Sequence, residues 1–129
     1  MTMFSMPIVL DPHTMLMSYA RPYGVKGINF GGCIDLNYKG TYTAMRRSAH
    51  AHWFKKRYVE YKKTHHPEEL KNLGWICVKS SHIEKLLTAD GRPNHLFWHE
   101  VGHIYRGSWT EGQCDKWAWK MLHATKSEQ

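Results

Sequence analysis

His99 and His103 stand four residues apart in HEVGH, and the acidic pair Glu111 and Asp115 repeats that spacing in EGQCD. On a helix, residues at i and i+4 leave the same face about one turn apart, which lets two imidazoles reach one ion at zinc–nitrogen distances of about 2.0–2.1 Å. Glu100 is rotated by about 100° from His99 around such a helix. It can approach a water on the ion without being a ligand. H-E-x-x-H is therefore an arrangement for hydrolysis, in which zinc acidifies a water and the glutamate takes its proton before the oxygen attacks a carbonyl. A catalytic zinc takes three protein ligands and keeps one position for water. Glu111 is the best third ligand, because a turn over residues 107–109 folds the next helix back with its first residue beside the histidines. Asp115 lies on the same face as Glu111 and can accept a hydrogen bond from the outer N–H of a ligating histidine, fixing its tautomer.

Two helices must position these groups. The first runs from an N-cap at Asn94 to Arg106, with Gly107 as its C-terminal stop. Phe97, Val101 and Ile104 project away from the histidine pair and anchor this helix in a core. Gly102 costs roughly 1 kcal/mol of helix propensity against alanine, and close approach of another backbone segment beside the metal is a reason to keep it. The second helix starts at Thr110, whose spacing to Gln113 has the T-x-x-Q form of a capping box, and continues to about Thr125.

At these residues the chain resembles the gluzincin zinc metallopeptidases, whose pattern is H-E-x-x-H followed by E-x-x-x-D on the next helix. It is most similar to the small intracellular ImmA/IrrE-type proteins, in which an acidic, alanine-containing helix follows an H-E-x-G-H helix; Ala118 stands at the matching place here. The resemblance covers residues 95–123 and implies that His99, His103 and Glu111 are ligands of one zinc ion, that Glu100 is the general base, and that Asp115 supports a ligand from behind. It also implies a zincin-like fold and cleavage of a regulatory protein, as in a bacterial or phage-encoded factor. A metzincin is excluded, since Arg106 stands where that class needs a glycine and Trp109 where it needs a third histidine. No motif marks the residue that stabilises the oxyanion; Tyr105, Arg106 and His95 are its neighbours in sequence.

The remaining chain is read as α+β. VKGINF and CIDLNY, residues 25–30 and 33–38, have strand-like content around Gly31-Gly32, the kind of pair a tight hairpin turn favours. Residues 41–45 suit a third short strand. Over residues 48–64 the recurrence of Ala51, Phe54, Tyr58 and Tyr61 at three- and four-residue intervals predicts a basic amphipathic helix. GWICVK, residues 74–79, reads as a buried strand, and a helical turn is expected over residues 83–87. The expected architecture is one compact zincin-like domain over residues 1–129, with a small antiparallel sheet, the basic helix and the two C-terminal helices carrying the site.

At 129 residues the chain has room for one modest core. Its three cysteines are far apart, odd in number and in no C-x-x-C pair, which suggests a reduced, cytoplasmic protein without a disulfide framework. The apolar opening is broken by Asp11, Pro12 and His13 well short of a membrane span. A net charge of +7 permits attraction to an acidic partner. The alternative function follows from this: a non-catalytic, metal-containing binding module in which Arg46, Arg47, Lys55, Lys56, Arg57, Lys62 and Lys63, interleaved with aromatics, engage nucleic acid or an acidic protein. An amphipathic helix with solvated lysines accounts for the same residues. His50, His52, His65 and His66 are read as exposed polar positions, because no carboxylate or cysteine shares their spacing, and Cys114 as a small core residue.

Overall fold

A computed structural model describes residues 11–30, 33–35, 41–43, 48–53, 63 and 72–127. The first helix, α1 (Pro12–Ala20), starts at Asp11, whose carboxylate accepts hydrogen bonds from the Thr14 N–H at 2.9 Å and the Thr14 hydroxyl at 2.8 Å. Pro12 in the first turn suits a position whose N–H has no partner within a helix. Leu16, Met17 and Ala20 turn inward, and a 3-10 turn (Arg21–Tyr23) leads to Gly24 at φ 94°, a left-handed conformation that favours glycine. The Gly24 carbonyl then accepts from Leu73 N–H at 2.7 Å, tying the start of one strand to the start of another.

Those strands are β1 (Val25–Asn29) and β5 (Gly74–Val78), which run parallel, while β4 (Ala49–Trp53) pairs antiparallel on the other side of β5. The order β1-β5-β4 makes a small mixed sheet rather than the antiparallel one expected. Two short strands, β2 (Cys33–Asp35) and β3 (Thr41–Thr43), form a separate antiparallel pair. The expected hairpin across Gly31-Gly32 is therefore corrected: β1 pairs with β5, and β2 pairs with the third strand. Long-range pairing with the apolar GWICV segment buries Val25 and Ile28, which a solvent-side hairpin would have left half exposed.

The second correction concerns the basic helix. Residues 49–53 form β4, so a helix cannot begin at Ser48; AHAHW has the period-2 alternation that a strand buried on one face requires. Ala49 and Ala51 pack toward the core, and Gly74 opposite is obligatory, because a Cβ there would lie 2.0 Å from the His52 carbonyl oxygen. The rest of that predicted helix lies outside the described residues apart from Lys63, which is exposed. Arg46, Arg47, Lys55, Lys56, Arg57 and Lys62 likewise lie outside them.

A 3-10 segment (Ser80–Leu86) overlaps the predicted helical turn, starting three residues before it and ending one short of it at the extended Leu87, and leads to two helices, α2 (His95–Tyr105) and α3 (Glu111–Ser127). Phe97, Trp98, Val101 and Ile104 are fully buried with Leu16, Ile76, Val78 and Leu86. Each such burial contributes about 1.5–3 kcal/mol for the aliphatic and phenyl side chains, so α2 is held as the central rod of the fold. It packs most extensively against α3 and next against β4. Among the described residues no helix is long and apolar enough to cross a membrane.

Candidate metal centre

The site is built where α2 and α3 meet. Asn94 caps α2, accepting from Phe97 N–H at 3.2 Å, while its amide donates to the Lys85 and Leu87 carbonyls and fastens the helix start to the preceding segment. Arg106 leaves helical geometry at φ −138° and ends α2, so the stop falls one residue before Gly107, and no left-handed glycine is used there. Trp109 N–H bonds the Arg106 carbonyl at 2.9 Å, closing the turn. Thr110 and Gln113 then form the reciprocal capping box, with Gln113 N–H to Thr110 Oγ1 at 3.2 Å and Thr110 N–H to Gln113 Oε1 at 2.9 Å. The seven residues between His103 and Glu111 thus suffice to reverse the chain and lay α3 along α2.

Gly102 sits at the closest approach. A Cβ on it would meet Trp117 Cε3 at 3.2 Å and Cys114 Sγ at 3.4 Å, so the neighbour pressed against this glycine is the side-chain layer of α3 rather than the backbone expected. Across this contact the predicted residues converge. His99 Nε2 and His103 Nε2 are 3.2 Å apart; Glu111 places Oε2 2.7 Å from His99 Nε2 and Oε1 3.1 Å from His103 Nε2. Two donors bound tetrahedrally at zinc-like bond lengths are separated by about 3.3 Å. The set fits one such ion after shifts of a few tenths of an ångström, and one donor atom from each of the three residues lies within 4.8 Å of the others.

Both imidazoles are oriented from behind. His99 Nδ1 donates to Asp115 Oδ1 at 2.7 Å while Nε2 faces Glu111 Oε2, so a metal ion entering here would take the Nε2 lone pair with Nδ1–H held from behind. His103 Nδ1 meets Cys114 Sγ at 3.4 Å. Cys114 is buried as expected, but it also fixes a histidine, a role invisible without knowing that α3 lies against α2. Burial first, and then the negative charges of Glu111, Glu100 and Asp115, push its thiol up to about 12, so it remains neutral. For Glu111, burial pushes the carboxyl up, but hydrogen bonds and positive charge from His99 and His103 outweigh this and hold it below its ordinary value. Its side chain is 68% exposed, so the ligand cluster opens to solvent, while Glu100 on α2 is buried, only 7% exposed.

His95 joins the cluster from the first turn of α2. Its Nε2 lies 3.3 Å from Asp115 Oδ1, and its ring tilts over Trp119, which is 52% exposed, at 4.4 Å. Tyr105 and Arg106 face elsewhere: the guanidinium sits 3.8 Å over the Tyr105 ring and donates to its hydroxyl, and that ring stacks on Trp117. Trp98 is a core residue, and Trp109 packs on Tyr105 and Trp117. Other histidines serve the fold, His13 bonding the Ile28 carbonyl at 2.8 Å and His82 bonding Ser48 at 3.0 Å. The chain was compared with family models, curated proteins and solved structures, and it matches none of them.

Proposed function

We propose that the chain is a zinc-dependent metallopeptidase of zincin type that cleaves a specific protein partner. The observation that carries this reading is the convergence of His99 Nε2, His103 Nε2 and the Glu111 carboxylate, with His99 Nδ1 held by Asp115. Two imidazoles and one carboxylate, open on one side, form the donor set of a catalytic rather than a structural zinc site. A zinc ion held there supplies Lewis acidity, lowering the pKa of a water and polarising a carbonyl.

The chain's own groups do the rest. Glu100 accepts the proton of the attacking water at its carboxylate and passes it to the leaving amine nitrogen, and burial keeps this carboxylate out of bulk water. Asp115 and the Cys114 sulfur hold the two imidazoles in the tautomer that presents Nε2. His95 and exposed Trp119 form a shoulder beside the cluster, a surface on which an apolar substrate side chain can rest while its peptide bond reaches the site. The resemblance of HEVGH and EGQCD to the ImmA/IrrE-type proteins supports a single regulatory protein as substrate.

The test combines zinc analysis with Glu100→Gln, assayed on a library of quenched fluorescent peptides and on cells carrying the protein. One zinc per chain is expected at this cluster, lost in His99→Ala/His103→Ala, and Glu100→Gln should keep that zinc and the fold while losing cleavage by about 10²–10⁴-fold. Cleavage unchanged in Glu100→Gln overturns the mechanism. A cellular effect that survives Glu100→Gln but is abolished by neutralising Lys55, Lys56 and Arg57 replaces the peptidase with the binding module.

A further inference from the structure

The face of the sheet turned away from α2 carries a second set of metal donors. Alternation along β4 sends Ala49 and Ala51 to the core and His50 and His52 to the opposite side. The antiparallel register sets His50 against Cys77 and His52 against Trp75, so four side chains from two strands share that face. The two Nε2 atoms point at each other, 2.9 Å apart, and one donor atom from each of His50, His52 and Cys77 lies within 4.8 Å of the other two. Trp75 stacks on the His52 ring at 4.6 Å and 17°, which fixes its plane. Cys77 is fully buried and the histidines partly so, giving a buried floor with a partly exposed rim.

We propose that His50, His52 and Cys77 form a second metal site, taking an imidazole- and thiolate-binding ion of the zinc class. The donors contain two nitrogens and one sulfur, which excludes the hard, oxygen-seeking ions magnesium and calcium. Two nitrogens on one tetrahedral ion stand about 3.3 Å apart, so the observed pair needs to open by only a few tenths of an ångström. The thiol gives its proton to solvent when the ion binds, and the ion replaces that proton on sulfur. Both strands contribute ligands, so the ion clamps β4 to β5, and β4 is the strand against which α2 packs. The site differs from the α2–α3 cluster in one decisive respect: it holds a sulfur ligand.

That difference supplies the test. The full-length, chelator-stripped protein is titrated with cobalt(II), whose bonds to thiolate give a near-ultraviolet charge-transfer band that bonds to imidazole and carboxylate do not. The band is expected in the native chain, in the double variant His99→Ala/His103→Ala and in Cys114→Ala and Cys33→Ala, and is expected to vanish in Cys77→Ala. Zinc content should be one ion per chain in the double variant. Cobalt affinity of the band in His52→Ala should fall by more than the roughly 10- to 100-fold that losing a mere supporting residue costs. This variant keeps the thiol and serves if Cys77→Ala does not fold. Absence of the band from the native chain, its persistence in Cys77→Ala or unchanged affinity in His52→Ala overturns the proposal.

Discussion

The substitution Gly102→Ala measures whether the close contact of α2 with α3 sets the metal centre. Alanine gains about 1 kcal/mol of helix propensity over glycine. Against this, its methyl group would sit 3.2 Å from Trp117 Cε3 and 3.4 Å from Cys114 Sγ, inside the roughly 3.5–4.0 Å of a relaxed contact. Trp117 has little room to retreat, since its ring is boxed by Tyr23 at 5.3 Å, Tyr105 at 5.4 Å, and Trp98 and Trp109 at 5.8 Å. Overpacking of this kind costs about 1–3 kcal/mol. The balance is a destabilisation of about 0–2 kcal/mol, or a fall in Tm of up to roughly 8 °C for a chain of this length. Pushing α3 outward also moves Cys114 and Glu111 away from the histidines, so zinc affinity should fall at least about tenfold, as when a supporting group is lost. Gly112→Ala is the control, because a Cβ there meets only Thr110 Oγ1 at 3.9 Å. It should gain up to about 1 kcal/mol and leave zinc affinity unchanged. Calorimetry and competition with a chromophoric chelator read both quantities. A Gly102→Ala protein as stabilised as Gly112→Ala, with undiminished zinc affinity, refutes the reasoning.

Removing the support of His99 with Asp115→Ala should weaken zinc binding by about 10- to 100-fold while the helices persist by circular dichroism; an affinity within twofold of native contradicts the orienting role. Glu111 has its folded pKa below the ordinary value, so in metal-free protein its ion pairing adds stability above the ordinary carboxylate range and loses it as pH falls through the folded value. Urea titration should therefore show metal-free Glu111→Gln less stable than native at neutral pH, with the gap closing as pH falls below the ordinary carboxylate range, and a gap that widens on acidification fails this account. With its thiol pushed up to about 12 by burial and then by neighbouring carboxylates, Cys114 should be alkylated at pH 8 far more slowly in folded, metal-free protein than after denaturation, as mass mapping would show. Labelling at the unfolded rate removes that explanation of its inertness.

The helical part of the site was legible because its signals are local. Asn94, the T-x-x-Q box and the four-residue spacing of histidines and acids act within one or two turns, and each appears in the structure at the expected residue or one away. The buried strand GWICV was also readable from its apolar run. What failed depended on partners far along the chain. Nothing in VKGINF says that its partner is β5 rather than the neighbouring CID, since parallel pairing is decided by what the intervening segments allow. Cys114 as a contact of His103, and His95 as a second partner of Asp115, likewise require the α2–α3 packing before they mean anything.

The misread start of the basic segment had a chemical consequence as well as a structural one. In a helix, residues two apart diverge by about 200°, so His50 and His52 would point to nearly opposite sides and share no ligand. In a strand the same two residues share a face, and the facing strand adds one side chain at each register position. Four residues of alternating alanine and histidine therefore pass from scattered polar positions to two thirds of a donor set once β4 pairs with β5. The third donor, Cys77, lies 25 residues beyond His52 and is placed by the sheet register alone. Spacing within a segment can reveal a site carried on helices, as at His99 and His103. A site carried across strands is encoded in the pairing, and the donors become a pattern only when the register is known.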